Sequence, residues 1–121
     1  MKIPGPDHPI SIAPYAGRVR VIYQARVVAD SSRALALYEK SYPPRLYIPR
    51  EDTEMTLFER TSHRTHCPYK GDASYYSIQI GDTVAQNAIW SYEQPFPAVA
   101  EIGGYLAFYP DRVDAIDLAP A

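Results

Sequence analysis

Thr61-Ser62-His63-Arg64-Thr65-His66-Cys67-Pro68-Tyr69-Lys70-Gly71 gathers two of the three histidines and the single cysteine into eleven residues. No other stretch holds so many groups able to take up a proton, a metal or an anion. Cys67 is the candidate catalytic residue. A thiol attacks as its thiolate, which neighbouring cations such as Arg64, Lys70 and the two imidazoles favour. The competing reading makes Cys67 a small buried apolar residue, the common fate of a free cysteine. His63, His66 and Cys67 are the nearest approach to a metal set. Adjacent residues of an extended chain point to opposite faces, however, and the second cysteine pair of a structural zinc site is missing. No metal and no cofactor are expected.

Lys70-Gly71 resembles half of a phosphate loop without its upstream glycine. Lys70 and Arg50 can still hold a carboxylate or phosphate, arginine through a planar fork and lysine as a point charge. Against that, each could pair with Glu51, Asp52 or Asp72. Asp52 is read as a helix cap beside a solvated Glu51, or else as an acid–base carboxylate. Tyr47, Tyr75, Trp90 and Tyr92 either line a pocket or form cross-strand pairs. The site expected from these residues joins the corner at 50–52, the loop at 65–70 and the strand at 90–92. Arg50, Asp52, Thr65, Lys70, Tyr75, Trp90 and Tyr92 are its ligand-binding candidates. The expected partner is a small molecule, anionic in character, and the alternative is a non-catalytic binding or interaction module.

The whole-chain properties narrow the class. A chain of 121 residues with 46% hydrophobic content suits one domain with its own core. A net charge of −2 supplies no basic field for nucleic acid. No apolar run approaches the length of a membrane span, and the first residues lack the apolar stretch of a secretion signal. One cysteine excludes an internal disulfide. A cytoplasmic protein, monomeric or homodimeric, without membrane or nucleic-acid partners is therefore expected. Eleven tyrosines against three phenylalanines favour half-buried sheets or a lined cleft, because tyrosine pairs an apolar body with a polar tip.

Positioning such residues falls to strands. Residues 1–17 hold prolines at 4, 6, 9 and 14 and predict an extended arm, not a paired strand. Val19, Val21, Tyr23, Ala25, Val27 and Ala29 alternate with polar neighbours and predict a hairpin bent at Gln24-Ala25. Asp30-Ser31-Ser32 reads as a turn, Leu35 to Glu39 as a strand and Arg45 to Ile48 as an extended run. A helix is expected from Asp52, with Met55 and Phe58 on one face and Arg60 in its last turn. The histidine–cysteine stretch is expected to be a loop, interrupted by Pro68 and Gly71. Tyr76 to Ile80 and Val84 to Tyr92 predict a hairpin through Gly81-Asp82. Pro95 to Gly104 predicts a short helix. Tyr105 to Tyr109 and Val113 to Ile116 predict a last hairpin, and residues 118–121 a frayed tail. The sum is a mainly β, compact single domain over 18–117. It has about seven or eight antiparallel strands, in a bent or barrel-like sheet, with one or two short helices.

Three blocks carry a family resemblance. They are Tyr42-Pro43-Pro44 with Tyr47-Ile48-Pro49-Arg50-Glu51-Asp52, then His66-Cys67-Pro68-Tyr69-Lys70-Gly71-Asp72-Ala73-Ser74-Tyr75, then Trp90-Ser91-Tyr92-Glu93-Gln94-Pro95 with Gly103, Gly104 and Ala107-Phe108-Tyr109. In order and spacing this resembles the bacterial domain of unknown function family 427 over roughly residues 18–116. That resemblance implies a compact β-rich cytoplasmic domain. The family is sometimes labelled nucleotidyltransferase-like. The Gly-Ser pair and spaced aspartates with which such enzymes hold magnesium are absent from this sequence.

Overall fold

The computed structural model describes residues 1–120. Ten strands form three antiparallel sheets, joined by short 3-10 turns; no α-helix occurs among the described residues. Strand β2 (Gly17–Tyr23) buries Val19, Val21 and Tyr23 and exposes Arg18 and Arg20, as its alternation requires. It turns through Gln24 and Ala25, both at positive φ (51° and 60°), into β3 (Arg26–Ser31). A bulge after Val21 shifts the register. Val28 is therefore buried and Val27 exposed, the reverse of simple alternation. Asp30 and Ser31 belong to β3 instead of forming a turn.

The amino-terminal arm corrects the expectation of an unpaired segment. β1 (Ile10–Pro14) pairs with β4 (Leu35–Glu39), which pairs with β5 (Arg45–Tyr47). Pro9 precedes the strand and Pro14 ends it, so the missing amide donors fall outside the ladder's interior. At the other end, β10 (Ala115–Pro120) pairs with β2, so the tail up to Pro120 is not frayed; Ala121 lies outside the described residues.

The largest sheet runs β6 (Phe58–Cys67), β7 (Gly71–Ile80), β8 (Thr83–Ser91) and β9 (Ala107–Phe108). The histidine–cysteine stretch is thus strand up to Cys67, and only residues 68–70 turn. Pro68 and Gly71 bound the turn without breaking the strand before it, and Gly71 enters β7 at φ 110°, where side-chain-bearing residues are strained. The helix expected from Asp52 is replaced by two 3-10 turns, Arg50–Asp52 and Met55–Leu57. Thr53 bridges Ala29, and the Glu54 amide donates to the Val28 carbonyl at 2.9 Å. Hydrogen bonding to β3 has taken the backbone a helix needs. Asp52 caps nothing; it accepts from Ser31 Oγ and Arg33. Arg60 lies on β6. The short helix after Pro95 is a 3-10 segment, Pro97–Ile102, that buries Val99 and Ile102. The expected last hairpin is divided: β9 pairs with β8 and β10 with β2.

Reciprocal amide–carbonyl bonds of 2.8 Å between Ile48 and Leu106 tie the end of β5 to the start of β9. β7 is buried on both faces. Tyr76 and Ile78 enter a core shared with Val19, Val21, Ile48 and Ile89. Ala73 and Tyr75 enter a second core with Leu37, Tyr47, Trp90 and Ile102. This division decides which candidate residues meet. No helix among the described residues is long and apolar enough to cross a membrane.

Candidate functional site

A cleft of about 290 Å³ opens over the second core. β4 contributes Leu37 and Glu39, and the Tyr42–Pro43 turn with β5 contributes Arg45 and Tyr47. Lys70 comes from the β6–β7 turn, Tyr75 from β7, Trp90 and Tyr92 from β8 and just beyond, and Tyr109 from the end of β9. Cross-strand register produces the wall: Tyr75 stands opposite Trp90. The Trp90 ring lies 4.5 Å from Tyr109, and its Nε1 donates to the Tyr47 hydroxyl at 3.1 Å. The Thr65 hydroxyl bonds the Tyr75 hydroxyl at 2.9 Å. Burial pushes the Tyr47 and Tyr92 phenols well above their ordinary range, and burial with the Tyr75 hydrogen bond pushes Tyr109 up to about 12. These phenols stay neutral at physiological pH, which suits them to stacking and hydrogen bonding rather than to proton abstraction.

Lys70 is not a free cation. Its Nζ donates to Glu39 Oε1 at 2.6 Å and sits 5.8 Å from the centre of the Tyr92 ring. Glu39 Oε2 is 2.6 Å from His8 Nε2, and the His8 ring stacks on Tyr69 at 3.8 Å. Burial alone would raise the Glu39 carboxyl, yet the bonds from Lys70 and His8 hold it below its usual range. Arg45 is different. Exposed, and 5.9 Å from the Trp90 ring centre, it forms no ion pair among the described residues.

Thus Lys70, Tyr75, Trp90 and Tyr92 come together, with Thr65 bonded to the edge of the group, while Arg50 and Asp52 do not. Arg50 lies on the other face of the sheet. There its guanidinium donates to the Gly104 carbonyl (2.6 Å), the Tyr76 hydroxyl (3.2 Å) and Glu93 (2.7 Å). Asp52 belongs to the Ser31–Arg33 cluster. Cys67 is half-buried against the second core and is not among the cleft's lining residues. His66 faces away from it, its Nδ1 2.7 Å from an Asp72 carboxylate oxygen, and both line a separate cavity with Arg60 and Arg64. His63 packs its edge on Tyr75, 4.4 Å between centres. No cluster of three or more metal-ligating side chains occurs among the described residues.

Sequence reasoning passed over Arg45, Glu39, Tyr109 and His8. The signal for Arg45 was its place directly after Tyr42-Pro43-Pro44, a stiff turn that fixes the next side chain; Tyr109 closes the third family block, and nothing local marked Glu39 or His8.

Fold and cleft together define a small, mainly β domain with an aromatic, cation-rimmed pocket. The chain belongs to the family described as domain of unknown function DUF427, whose model matches residues 11–118. Comparison with curated proteins gives no match.

Proposed function

We propose that this protein binds a small acid with a flat apolar face in the Trp90 cleft, as a binding protein rather than a thiol enzyme. The observation that carries the reading is Arg45. It is the cleft cation without a carboxylate partner among the described residues, over a wall in which Trp90 is bonded to Tyr47 and Tyr75 to Tyr109. A ring stacked on Trp90 or Tyr109 would gain dispersion and desolvation, and its acidic group would meet the guanidinium fork. Lys70, neutralised by Glu39, positions the β6–β7 turn and supplies donors at the cleft's inner end. Cys67 packs behind the wall.

Trp90 is the only tryptophan, so its emission reports on the cleft directly. Titration with aromatic carboxylates, nucleoside monophosphates and inorganic phosphate should quench or shift that emission for the flat acids. The same ligands should raise the melting temperature, because they bind only the native state. Arg45→Ala should weaken binding about tenfold or more by removing a charge-assisted contact. Unchanged emission and melting temperature across the three ligand classes would overturn the reading.

A further inference from the structure

A second cavity of about 250 Å³ adjoins the cleft, and among the described residues Arg45 is the only charged one lining it. The two volumes share Arg45 and Trp90. Consecutive residues on two segments divide between them: Pro43 lines the cleft and Pro44 the groove, Tyr109 the cleft and Pro110 the groove. The guanidinium of Arg45 therefore stands at the junction of an aromatic cleft and an apolar groove. Leu46, Phe108, Ile116 and Leu118 supply groove surface, with Val19 and Val21 beneath. Leu118 is 56% exposed, on a strand whose pairing with β2 holds it at the rim.

We infer that the ligand is an amphipathic acid whose acidic group lies at Arg45, with a flat group in the cleft on one side and a hydrocarbon chain in the groove on the other. The inference rests on the cleft reading above and adds the tail. Charge selects the occupant: an unpaired guanidinium at the mouth of an apolar groove favours an anion with apolar substituents over a neutral hydrocarbon. The groove alone offers hydrophobic transfer, which scales with each buried methylene.

The test is a Trp90 fluorescence titration of the whole protein with 2-phenylalkanoic acids of increasing chain length, kept below their micelle concentrations. In these acids the carboxylate lies between the ring and the chain. Affinity should rise about two- to fourfold per added methylene until the groove is filled, then level off. The matching amides should bind at least about tenfold more weakly. Leu118→Ser, which removes apolar rim surface without adding a charge beside Arg45, should flatten the chain-length dependence, read as the ratio of long-chain to phenylacetate affinity. If phenylacetate binds without any gain on lengthening the chain, the groove inference falls and the cleft reading stands. If long-chain alkanols bind while phenylacetate does not, the cleft reading falls, and the acid-centred ligand falls with it. Equal binding of acids and amides rejects the role of Arg45 in both. Co-sedimentation with anionic phospholipid vesicles, without saturable binding of the free acids, would make the occupant a membrane surface and overturn the inference.

Discussion

The two faces of the β7–β8 ribbon carry opposite kinds of polar chemistry. On one, Glu93 accepts from Arg50, Arg60 and Tyr76, and Arg50 also donates to Gly104, Tyr76 and Ser91. Burial would raise the Glu93 carboxyl, but these bonds together hold it below its ordinary range. On the other face the phenols and the indole bond one another, Glu39 holds Lys70 and His8, and Arg45 is left over. The first arrangement is closed around Glu93: Arg50 and Arg60 are both paired to it, so an anion arriving at either would have to break an existing bond. The second keeps one cation beside open volume. A conspicuous arginine is thus no guide to ligand binding until its partners are counted.

The contrast is sharpest for two arginines. Arg50→Ala should cost about 3 kcal/mol in urea unfolding, because it takes one of two arginine partners from a partly buried Glu93 and leaves the Gly104 carbonyl and Tyr76 hydroxyl without that donor. Arg45→Ala should cost no more than about 0.5 kcal/mol, as an exposed residue without an ion pair. Similar costs for the two would erase the distinction between the faces.

A smaller loss, about 1–2 kcal/mol, is expected for Trp90→Phe, which removes the bond to the buried Tyr47 hydroxyl and part of the wall. Should Tyr47→Phe cost nothing while Trp90→Phe still costs this much, the loss lies in packing rather than in the hydrogen bond.

Acid should act on both faces in the same direction. Glu39 and Glu93 each have a carboxyl pKa depressed from 4.5 in the folded protein. The stabilisation they give is complete above that value and is lost as pH falls through the lower folded values. Glu93→Gln and Glu39→Gln should therefore be less stable than the parent at pH 7, by about 1 kcal/mol or more. The deficit should shrink below pH 4.5. A deficit that persists unchanged at pH 3 would mean that shape, not charge, holds these clusters.

The smallest effect is assigned to the residue that looked most reactive. Cys67→Ala should change the affinity of the cleft for aromatic acids by less than about twofold, since the side chain packs behind the wall. Iodoacetamide should alkylate native Cys67 more slowly than the unfolded chain. Rapid alkylation of the native protein together with a large loss of binding would return the thiol to the centre of the site.

How far the sequence could be read differs between these regions. The hairpins at Gln24-Ala25 and Gly81-Asp82 were legible because alternation and turn residues act over a few positions. For Tyr75 and Trp90 the sequence offered two alternatives, a lined pocket or cross-strand pairs, and the register sets them opposite each other. The strand through His63, His66 and Cys67 was not legible, because its side chains are polar on both faces, as an uncovered edge strand allows. The helix at Asp52 failed for a related reason: its local signals were sound, but the backbone found better partners on β3.

Taken alone, the sequence determined that this is one β-rich domain of a recognisable family, with its aromatic residues placed to share a strand face. Strand periodicity and turn chemistry are local properties, written within a few residues. Tertiary structure decided which charges are spent. That Glu39 neutralises Lys70 while holding His8, and that Arg50 is locked to Glu93, depends on residues 31 to 43 positions apart, and Arg45 stands between two cavities whose walls come from still more distant segments. Ion pairing follows proximity in space, which no run of neighbouring residues encodes.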